Sequence, residues 1–245
     1  MGGIEIHALG KQFQINNRLI PAVCNFELQV SEREFVTIVG KSGCGKTTLL
    51  RLICGLENAD QGYVRLAGHN GKAFDQRVSI VFQEPRLMPW LTVRQNMAFS
   101  LLKENDHQKV DRTVNFFLNM LGLTPFQDAY PRQISGGMAQ RTALGRTLCF
   151  DPDIILMDEP FGALDAFTRH NLQQELVDIF LSQNKTIIFV THDVNEAVLL
   201  GQRVLVMDKG SIRRELAIDI PYPRDALSKD FYNLREEILR SVLKP

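Results

Sequence analysis

Residues 40–47 have the types and spacing of a loop that binds phosphate groups. They read GKSGCGKT and match the pattern G-x-x-x-x-G-K-[ST], between a strand-like run and a helix-like run. Glycines let successive backbone N–H groups face phosphate oxygens, and a following helix adds the positive end of its dipole. Lys46 would reach the terminal phosphates of a nucleotide, and Thr47 would ligate Mg²⁺. The candidate phosphate ligands are Gly40, Lys41, Ser42, Gly43, Cys44, Gly45, Lys46, Thr47 and Thr48.

Two neighbouring carboxylates, Asp158 and Glu159, follow the apolar run IILM at 154–157. An open α/β sheet binds its ligands at the carboxyl ends of such strands. Neighbouring side chains there point apart, so the two groups can take separate tasks. Asp158 would hold Mg²⁺, and Glu159 would orient the attacking water and accept its proton. Taken alone, acidic residues after a strand are more often solvated, but the nearby phosphate loop favours chemistry.

A histidine follows another apolar strand. His192 comes after the run IIFV at 187–190, which places it at the same expected sheet edge. Its imidazole could contact the terminal phosphate and position water. The other four histidines have no such position, and we expect them to be surface or loop residues.

A second helix start could also bind an anion. In ISGGMAQR, at 134–141, Ser135 occupies a capping position, and Gly136 and Gly137 leave backbone N–H groups approachable. A Ser-Gly-Gly cap is common without any ligand. The chain nevertheless holds two helix starts of this kind, of which only the first carries a lysine.

The hydrophobic pattern indicates an α/β fold around a parallel sheet. The runs at 34–40, 153–158 and 186–191 are continuously apolar, as in strands covered on both faces. Between the last two runs, apolar residues at helical spacing predict a crossover helix. These residues are Leu172, Leu176, Val177, Phe180 and Leu181.

The remaining segments predict two additions to that sheet. Residues 91–150 have helical patterns and no convincing strand, whereas residues 1–35 and 62–66 alternate as a small antiparallel sheet would. We predict one domain over 1–245. Its core and β subdomain cover about 1–86 and 151–220, its inserted helical subdomain 87–150, and its helical tail 221–245.

Composition excludes several classes of protein. The 28 Lys plus Arg balance 28 Asp plus Glu, which disfavours a nucleic-acid-binding surface. No apolar run approaches the roughly 18 residues of a membrane span, and the N-terminus lacks the pattern of a secretory signal, so we expect a cytoplasmic location. The four cysteines, Cys24, Cys44, Cys54 and Cys149, form no C-x-x-C pair and are expected to be buried thiols.

In their order and spacing, these motifs resemble those of the ATPase subunit of an ATP-binding cassette (ABC) transporter, over nearly the whole chain. Residues 40–47 resemble Walker A, 154–159 Walker B, and 134–140 the signature usually written LSGGQ. Gln83 resembles the Q-loop, Ala163-Leu164-Asp165 the D-loop, and His192 the H-loop. Phe13 stands where the family places an aromatic ring against adenine, although Tyr is commoner there. The resemblance implies a P-loop NTPase (RecA-like) core.

The resemblance also implies a site shared between two subunits. ATP and Mg²⁺ would be the ligands, with Thr47, Gln83 and Asp158 near the metal. In this family the signature of one subunit faces the Walker A of another, so Ser135, Gly136, Gly137 and Asp165 would serve the partner's ATP. The catalytic residues would be Glu159, His192, Lys46 and Gln83. Ile134 for Leu, and Met138-Ala139 for a Gln-containing pair, are mild departures from the family pattern.

The segment EPRLMPWL at 84–91 contains the chain's only tryptophan, between two prolines. An apolar loop at a subdomain junction is typical of a docking surface, and the resemblance places it, from Gln83 to Leu91, under a membrane permease. The alternative is that Trp90 is simply a core residue. In the tail, the stripe of Phe231, Leu234, Ile238 and Val242 is expected to pack on the core.

The finer resemblance is to the importers of nitrate, sulfonates and taurine, carried by LMPWLTV, YPRQISGGMAQR and the tail. It implies a cassette at the cytoplasmic face of the membrane, paired with itself or a similar ATPase. A solute-binding protein would be an indirect partner, and no nucleic acid is expected. Cassettes for bicarbonate or thiamine pyrimidine precursors remain alternatives.

Three other classes of P-loop protein fit less well. A DNA-repair ATPase would need a long coiled coil, and a translation-factor cassette would need two copies of the motifs. A small-molecule kinase does not explain residues 135–137 together with His192.

Overall fold

The structure is a computed structural model that describes residues 3–66, 78–162, 164–183 and 185–243. Its strands are β1 (Gly3–Ile15), β2 (Arg18–Ser31), β3 (Phe35–Val39), β4 (Gln61–Leu66), β5 (Val78–Val81), β6 (Ile154–Asp158), β7 (Thr186–Thr191), β8 (Arg203–Asp208) and β9 (Ser211–Ala217). Its helices are α1 (Lys46–Ile53), α2 (Val93–Ala98), α3 (His107–Met120), α4 (Gly136–Cys149), α5 (Ala166–Gln183), α6 (Val194–Leu200) and α7 (Lys229–Leu243).

A six-stranded sheet in the order β5-β6-β7-β3-β8-β9 forms the centre of the molecule. All its pairs are parallel except β8 with β9. Every residue of β3, β6 and β7 is buried, which explains why their sequences are continuously apolar rather than alternating. These three predicted strands are confirmed.

Helix α5 connects β6 to its parallel neighbour β7, as the crossover prediction requires. Four of the five apolar residues named for this helix are buried, whereas the Leu181 side chain is exposed. Leu181 lies nine residues after Leu172, and nine steps of 100° place it on the opposite face of the helix.

Two smaller parts flank this core. Strands β2, β1 and β4 form the predicted antiparallel sheet. Residues 91–150, all of which are described, contain α2, α3, α4 and short 3₁₀ turns but no strand. The α/β class with both additions is therefore confirmed, whereas the domain bounds remain a prediction.

The tail packs against the core through α7. Phe231 and Ile238 are fully buried, and Leu234 and Val242 pack partly buried beside them. Cys44 and Cys149 are buried as predicted, and burial raises the pKa of the Cys149 thiol to about 12. Cys24 and Cys54, by contrast, are only half-buried.

Candidate active site

The polar residues singled out in the sequence follow four neighbouring strands. The phosphate loop follows β3, Gln83 comes shortly after β5, Glu159 follows β6 and His192 follows β7. Because β5, β6, β7 and β3 are adjacent and parallel, their carboxyl ends meet at one edge of the sheet. That edge is where α/β sheets of this kind bind ligands.

The phosphate loop is closed around its lysine. Lys46 is only 6% exposed, and its Nζ donates hydrogen bonds to the carbonyl oxygens of Gly40 (2.8 Å) and Lys41 (3.1 Å). Gly45 has a φ of 106°, and a Cβ there would lie 2.0 Å from the carbonyl oxygen of Ala22. Only glycine fits that position. The backbone thus holds the ammonium group inside the loop, where phosphate oxygens would meet it.

A hydroxyl and a carboxylate meet beside this loop. Thr47 Oγ1 donates a hydrogen bond to Asp158 Oδ1 at 3.2 Å, and Asp158 is 4% exposed. Burial raises the pKa of the Asp158 carboxyl, while the bond from Thr47 and the charge of Lys46 act in the lowering direction. A buried carboxylate favours a nearby cation, and hydroxyl and carboxylate oxygens are ligands that Mg²⁺ accepts.

Among the described residues, no group of three or more His, Cys, Asp or Glu side chains surrounds a metal position. Mg²⁺ usually binds proteins through one or two carboxylates and completes its coordination with waters and substrate phosphates. The pair of Thr47 and Asp158 fits that mode of binding.

Glu159 and His192 form a second pair. His192 Nδ1 lies 2.8 Å from Glu159 Oε2, so the ring N–H donates to the carboxylate. Glu159 has a φ of 47°, and its backbone N–H donates to the carbonyl oxygen of Val190 at 2.9 Å. A left-handed backbone at a residue other than glycine is uncommon and concentrates at functional sites. The two side chains were predicted at one edge, but their direct contact was not.

The sequence profile of the ABC transporter family matches residues 23–162, more than half of the chain. The chain belongs to the ABC transporter family. It is an ATP-binding and ATP-hydrolysing subunit of that family.

Relatives of this cassette align over almost all of its length. An uncharacterised ABC transporter ATP-binding protein of Methanocaldococcus jannaschii is 45% identical, covering 98% of this chain and 91% of its own. The aliphatic sulfonates import ATP-binding protein SsuB of Bacillus subtilis is 42% identical, covering 98% and 94%. The nitrate import ATP-binding protein NrtD of Synechocystis is 40% identical, covering 96% and 89%.

Solved structures show the same fold. A dimeric post-hydrolysis state of the ATP-binding cassette MJ0796, bound to ADP and Pi, has a TM-score of 0.82 and 30% identity. It covers 89% of this chain and 100% of that one. A second dimeric structure of MJ0796, described as a bacterial ABC transporter cassette, has a TM-score of 0.81. The P-loop NTPase fold predicted from the sequence is confirmed.

The second helix start of the cassette is open. Ser135 caps α4 as predicted, because its Oγ accepts a hydrogen bond from the Met138 N–H at 3.2 Å. Gly136 is exposed, with no heavy atom within 4 Å of the position that a Cβ would take. In the described part of the chain, no hydrogen bond or ion pair joins residues 135–137 to the phosphate loop.

Three other predicted ligands lie outside these pairs. Phe13 is half-buried on β1, with Lys11 Nζ 5.4 Å from the centre of its ring. Gln83 is exposed, and its side chain makes no hydrogen bond with any described residue. Asp165 is exposed and accepts a hydrogen bond from the Thr168 N–H at 2.9 Å. Ala163, of the same predicted motif, lies outside the described residues.

Helix α4 holds the segment after β5 through contacts that the sequence does not reveal. Gln140 Nε2 donates to the carbonyl oxygen of Phe82 at 3.0 Å. The Arg146 guanidinium donates to the carbonyl oxygens of Pro85 (3.2 Å) and Arg86 (3.1 Å). These bonds link the helix that begins after Ser135 to the residues on both sides of Gln83.

Asn96 fixes the other end of the same segment. Its amide donates to the carbonyl oxygens of Met88 and Leu91 and accepts from the Met88 N–H. Trp90, within this loop, is 71% exposed. The alternative that Trp90 is a core residue is therefore wrong.

Proposed function

We propose that this cassette energises a bacterial importer of a small oxyanion solute such as nitrate, a sulfonate or taurine. The observation that carries the proposal is its 39–42% identity, over nearly the full chain, to ATP-binding proteins named for aliphatic sulfonate and nitrate import. Bicarbonate or a thiamine pyrimidine precursor is the alternative cargo that the family resemblance implies. A P-loop ATPase without a transport role is the remaining alternative.

In this proposal the phosphate loop binds the phosphates of ATP. Lys46 neutralises the terminal phosphates from its buried position, and the loop N–H groups donate hydrogen bonds to the remaining phosphate oxygens. Thr47, Asp158 and Gln83 would hold Mg²⁺, which supplies charge neutralisation on the phosphate oxygens when bound. The hydrogen bond between Thr47 and Asp158 supports the first two of these roles. Phe13 would stack on adenine.

Hydrolysis in this proposal depends on the second pair. Glu159 orients the attacking water and accepts its proton. It directly follows Asp158 at the edge of the sheet where the nucleotide would bind. His192 donates to the Glu159 carboxylate at 2.8 Å and so limits the directions in which that carboxylate can point. Its imidazole would also contact the terminal phosphate.

The open helix start would complete the site of a second subunit. Ser135, Gly136 and Gly137, with Asp165, would face ATP held by the partner, so that two nucleotides are enclosed in a head-to-tail dimer. The exposure of Gly136 and the dimeric state of the solved MJ0796 cassettes support this arrangement. Closure of the dimer completes the site and supplies motion for transport.

We place the permease contact at residues 83–91. Trp90 is the largest exposed apolar side chain of that loop, and an exposed aromatic residue is a typical anchor of an interface. Within the described ranges, none of the helices combines the length and the apolar character of a membrane span. In this proposal the cassette binds the permease at the cytoplasmic face, and the permease in turn meets the solute-binding protein.

The test of this function is the Glu159→Gln variant. It should hydrolyse ATP at least about 100-fold more slowly while an ATP-bound dimer accumulates, because binding stays intact and the base is lost. Steady-state phosphate release and light scattering measure both effects. Glu32→Gln, on an exposed turn, is the matched control and should behave as wild type. Full turnover in Glu159→Gln would refute the assignment of the base.

The same variant identifies the transport system. Tagged Glu159→Gln, purified with ATP from solubilised native membranes, should retain a polytopic permease that mass spectrometry identifies. The permease and its binding protein then lead to the cargo. Recovery of ribosomes or of DNA-associated proteins instead would refute the importer proposal.

The docking surface has its own test. Trp90→Glu places a charge at the proposed contact and should reduce permease capture at least about tenfold, with ATP affinity unchanged. Leu227→Glu, at a side chain 94% exposed before α7, is the control and should retain capture. Equal loss of capture in both variants, or loss of ATP binding in Trp90→Glu, would contradict this surface.

A further inference from the structure

One buried carboxylate has no part in the function proposed above. Glu196 lies in the first turn of α6 and is 6% exposed. Its Oε2 accepts a hydrogen bond from Thr191 Oγ1 at 2.6 Å, and its Oε1 accepts one from Gln173 Nε2 at 3.1 Å. Burial raises the pKa of Glu196, and both bonds act in the lowering direction. A buried carboxylate with two donors is a fixed point in the structure.

Through Thr191, Glu196 holds the residues on both sides of His192. The Thr191 hydroxyl donates to Glu196 and accepts from the Asp193 N–H at 3.0 Å. Thr191 and Asp193 flank His192, whose ring contacts Glu159 at 2.8 Å. The position of Glu196 therefore bears on the position of the His192 ring.

On its other side, Glu196 faces a residue tied to the segment around Asp165. The Arg169 side chain donates from Nη2 to the carbonyl oxygen of Leu164 at 3.0 Å. The Arg169 backbone N–H donates to the carbonyl oxygen of Asp165 at 2.9 Å. Arg169 Nε lies 4.0 Å from Glu196 Oε1. Any displacement of Leu164 and Asp165 moves Arg169 relative to that carboxylate.

Arg169 and Glu196 are one short movement away from forming a hydrogen bond. Arg169 Nε is buried and has no hydrogen-bond partner among the described residues. A buried N–H without a partner is unfavourable, and a shift of about 1 Å would bring this one to a normal bonding distance. Arg169 and Glu196 are thus separated in this structure, and a small movement would join them by a hydrogen bond.

We propose that Glu196 is a positioning residue that connects Asp165 to His192. When a partner subunit engages Asp165, Arg169 closes onto Glu196, and Glu196 through Thr191 fixes His192 against Glu159. ATP hydrolysis is then faster in the dimer, where the partner subunit contacts Asp165, than in the monomer. This inference rests on the dimeric ATPase proposed above and names the side chains that carry the signal within one subunit.

A double-mutant cycle tests it. Glu196→Gln and Arg169→Gln should each lower kcat at least about tenfold and change the KM for ATP less than about twofold, because neither residue lies in the phosphate loop. The double variant should lose no more than the stronger single variant, since both act through one contact. Asp178→Asn, a carboxylate-to-amide exchange on the exposed face of α5, is the control and should keep wild-type kcat.

Stability is measured beside activity, by thermal unfolding of each variant. If Glu196→Gln fails to fold, Thr191→Val replaces it, because valine keeps the shape and removes the hydroxyl that reaches Glu196. That variant should show the same loss of kcat. Folded variants with kcat within twofold of wild type, or losses that multiply in the double variant, would overturn the proposal. Failure of the proposed dimer, on which this inference rests, is read separately, from the absence of an ATP-bound dimer in Glu159→Gln.

Discussion

The phosphate loop before α1 and the Ser135 loop before α4 both open a helix, but they differ in completeness. The first buries Lys46 against its own carbonyl oxygens and ties Thr47 to Asp158. The second leaves Gly136 exposed with open space around it. One chain therefore supplies a closed half-site and an open half-site. A head-to-tail pair would bring each open half to a closed one, which would explain why only one of the two helix starts carries a lysine.

The largest expected effect comes from breaking the closed half. Lys46→Ala should lower ATP hydrolysis at least about 100-fold, because it removes the buried cation that we propose meets the terminal phosphates. Steady-state kcat and nucleotide affinity, measured by titration, test this. Lys103→Ala, at an exposed lysine, should match wild type. Hydrolysis in Lys46→Ala within tenfold of wild type would contradict the role of the loop.

Breaking the open half should separate binding from assembly. Gly136→Glu places a negative charge where the partner's phosphates would lie, so the monomer should bind ATP within about twofold of wild type but fail to dimerise. Light scattering in the Glu159→Gln background measures the dimer. ATP-driven dimerisation at the wild-type level would show that this loop does not face the partner's nucleotide.

A mixture of the two variants sharpens the same comparison. Lys46→Ala retains its open half and Gly136→Glu its closed half, so a mixed head-to-tail dimer holds one intact site. The added charge stands in only one site of this mixed dimer, opposite the subunit that lacks Lys46, so the mixed dimer should form although Gly136→Glu alone does not dimerise. If half of the pairs are mixed and the sites act independently, about a quarter of wild-type hydrolysis should return. If each subunit used its own Ser135 loop, the mixture would stay as inactive as its components.

The smallest expected effect is on stability and concerns the packing of α4 at Gly145. A Cβ at Gly145 would lie 2.5 Å from Met97 Cε and 2.9 Å from Leu121 Cδ1. The helix gain of about 0.5–1 kcal/mol in Gly145→Ala should be outweighed by overpacking of about 1–3 kcal/mol. We expect net destabilisation of about 1 kcal/mol by urea unfolding, with ATP affinity unchanged. A rise in the unfolding free energy would show that α2 yields to the added methyl group.

Sequence predicted the parts of this molecule that depend on short stretches of chain. The strand runs, the phosphate loop and the Ser135 cap each lie within one contiguous segment, and each is confirmed as local structure. The contact of His192 with Glu159, and that of Gln140 with Phe82, join residues 33 and 58 positions apart, so they depend on how strands and helices pack. The same limit applies to Gly145, whose close packing against Met97 of α2 joins residues that are distant in the sequence.

The exposed position of Trp90 also has an optical consequence. It is the only tryptophan in the chain, so nearly all emission excited at the red edge of protein absorption comes from this one loop. An indole facing water emits at long wavelength and collides freely with dissolved quenchers, whereas a covered indole does neither. Each molecule thus carries an intrinsic fluorophore at the surface proposed to contact the permease, and its emission would distinguish the free cassette from the docked one without any added label.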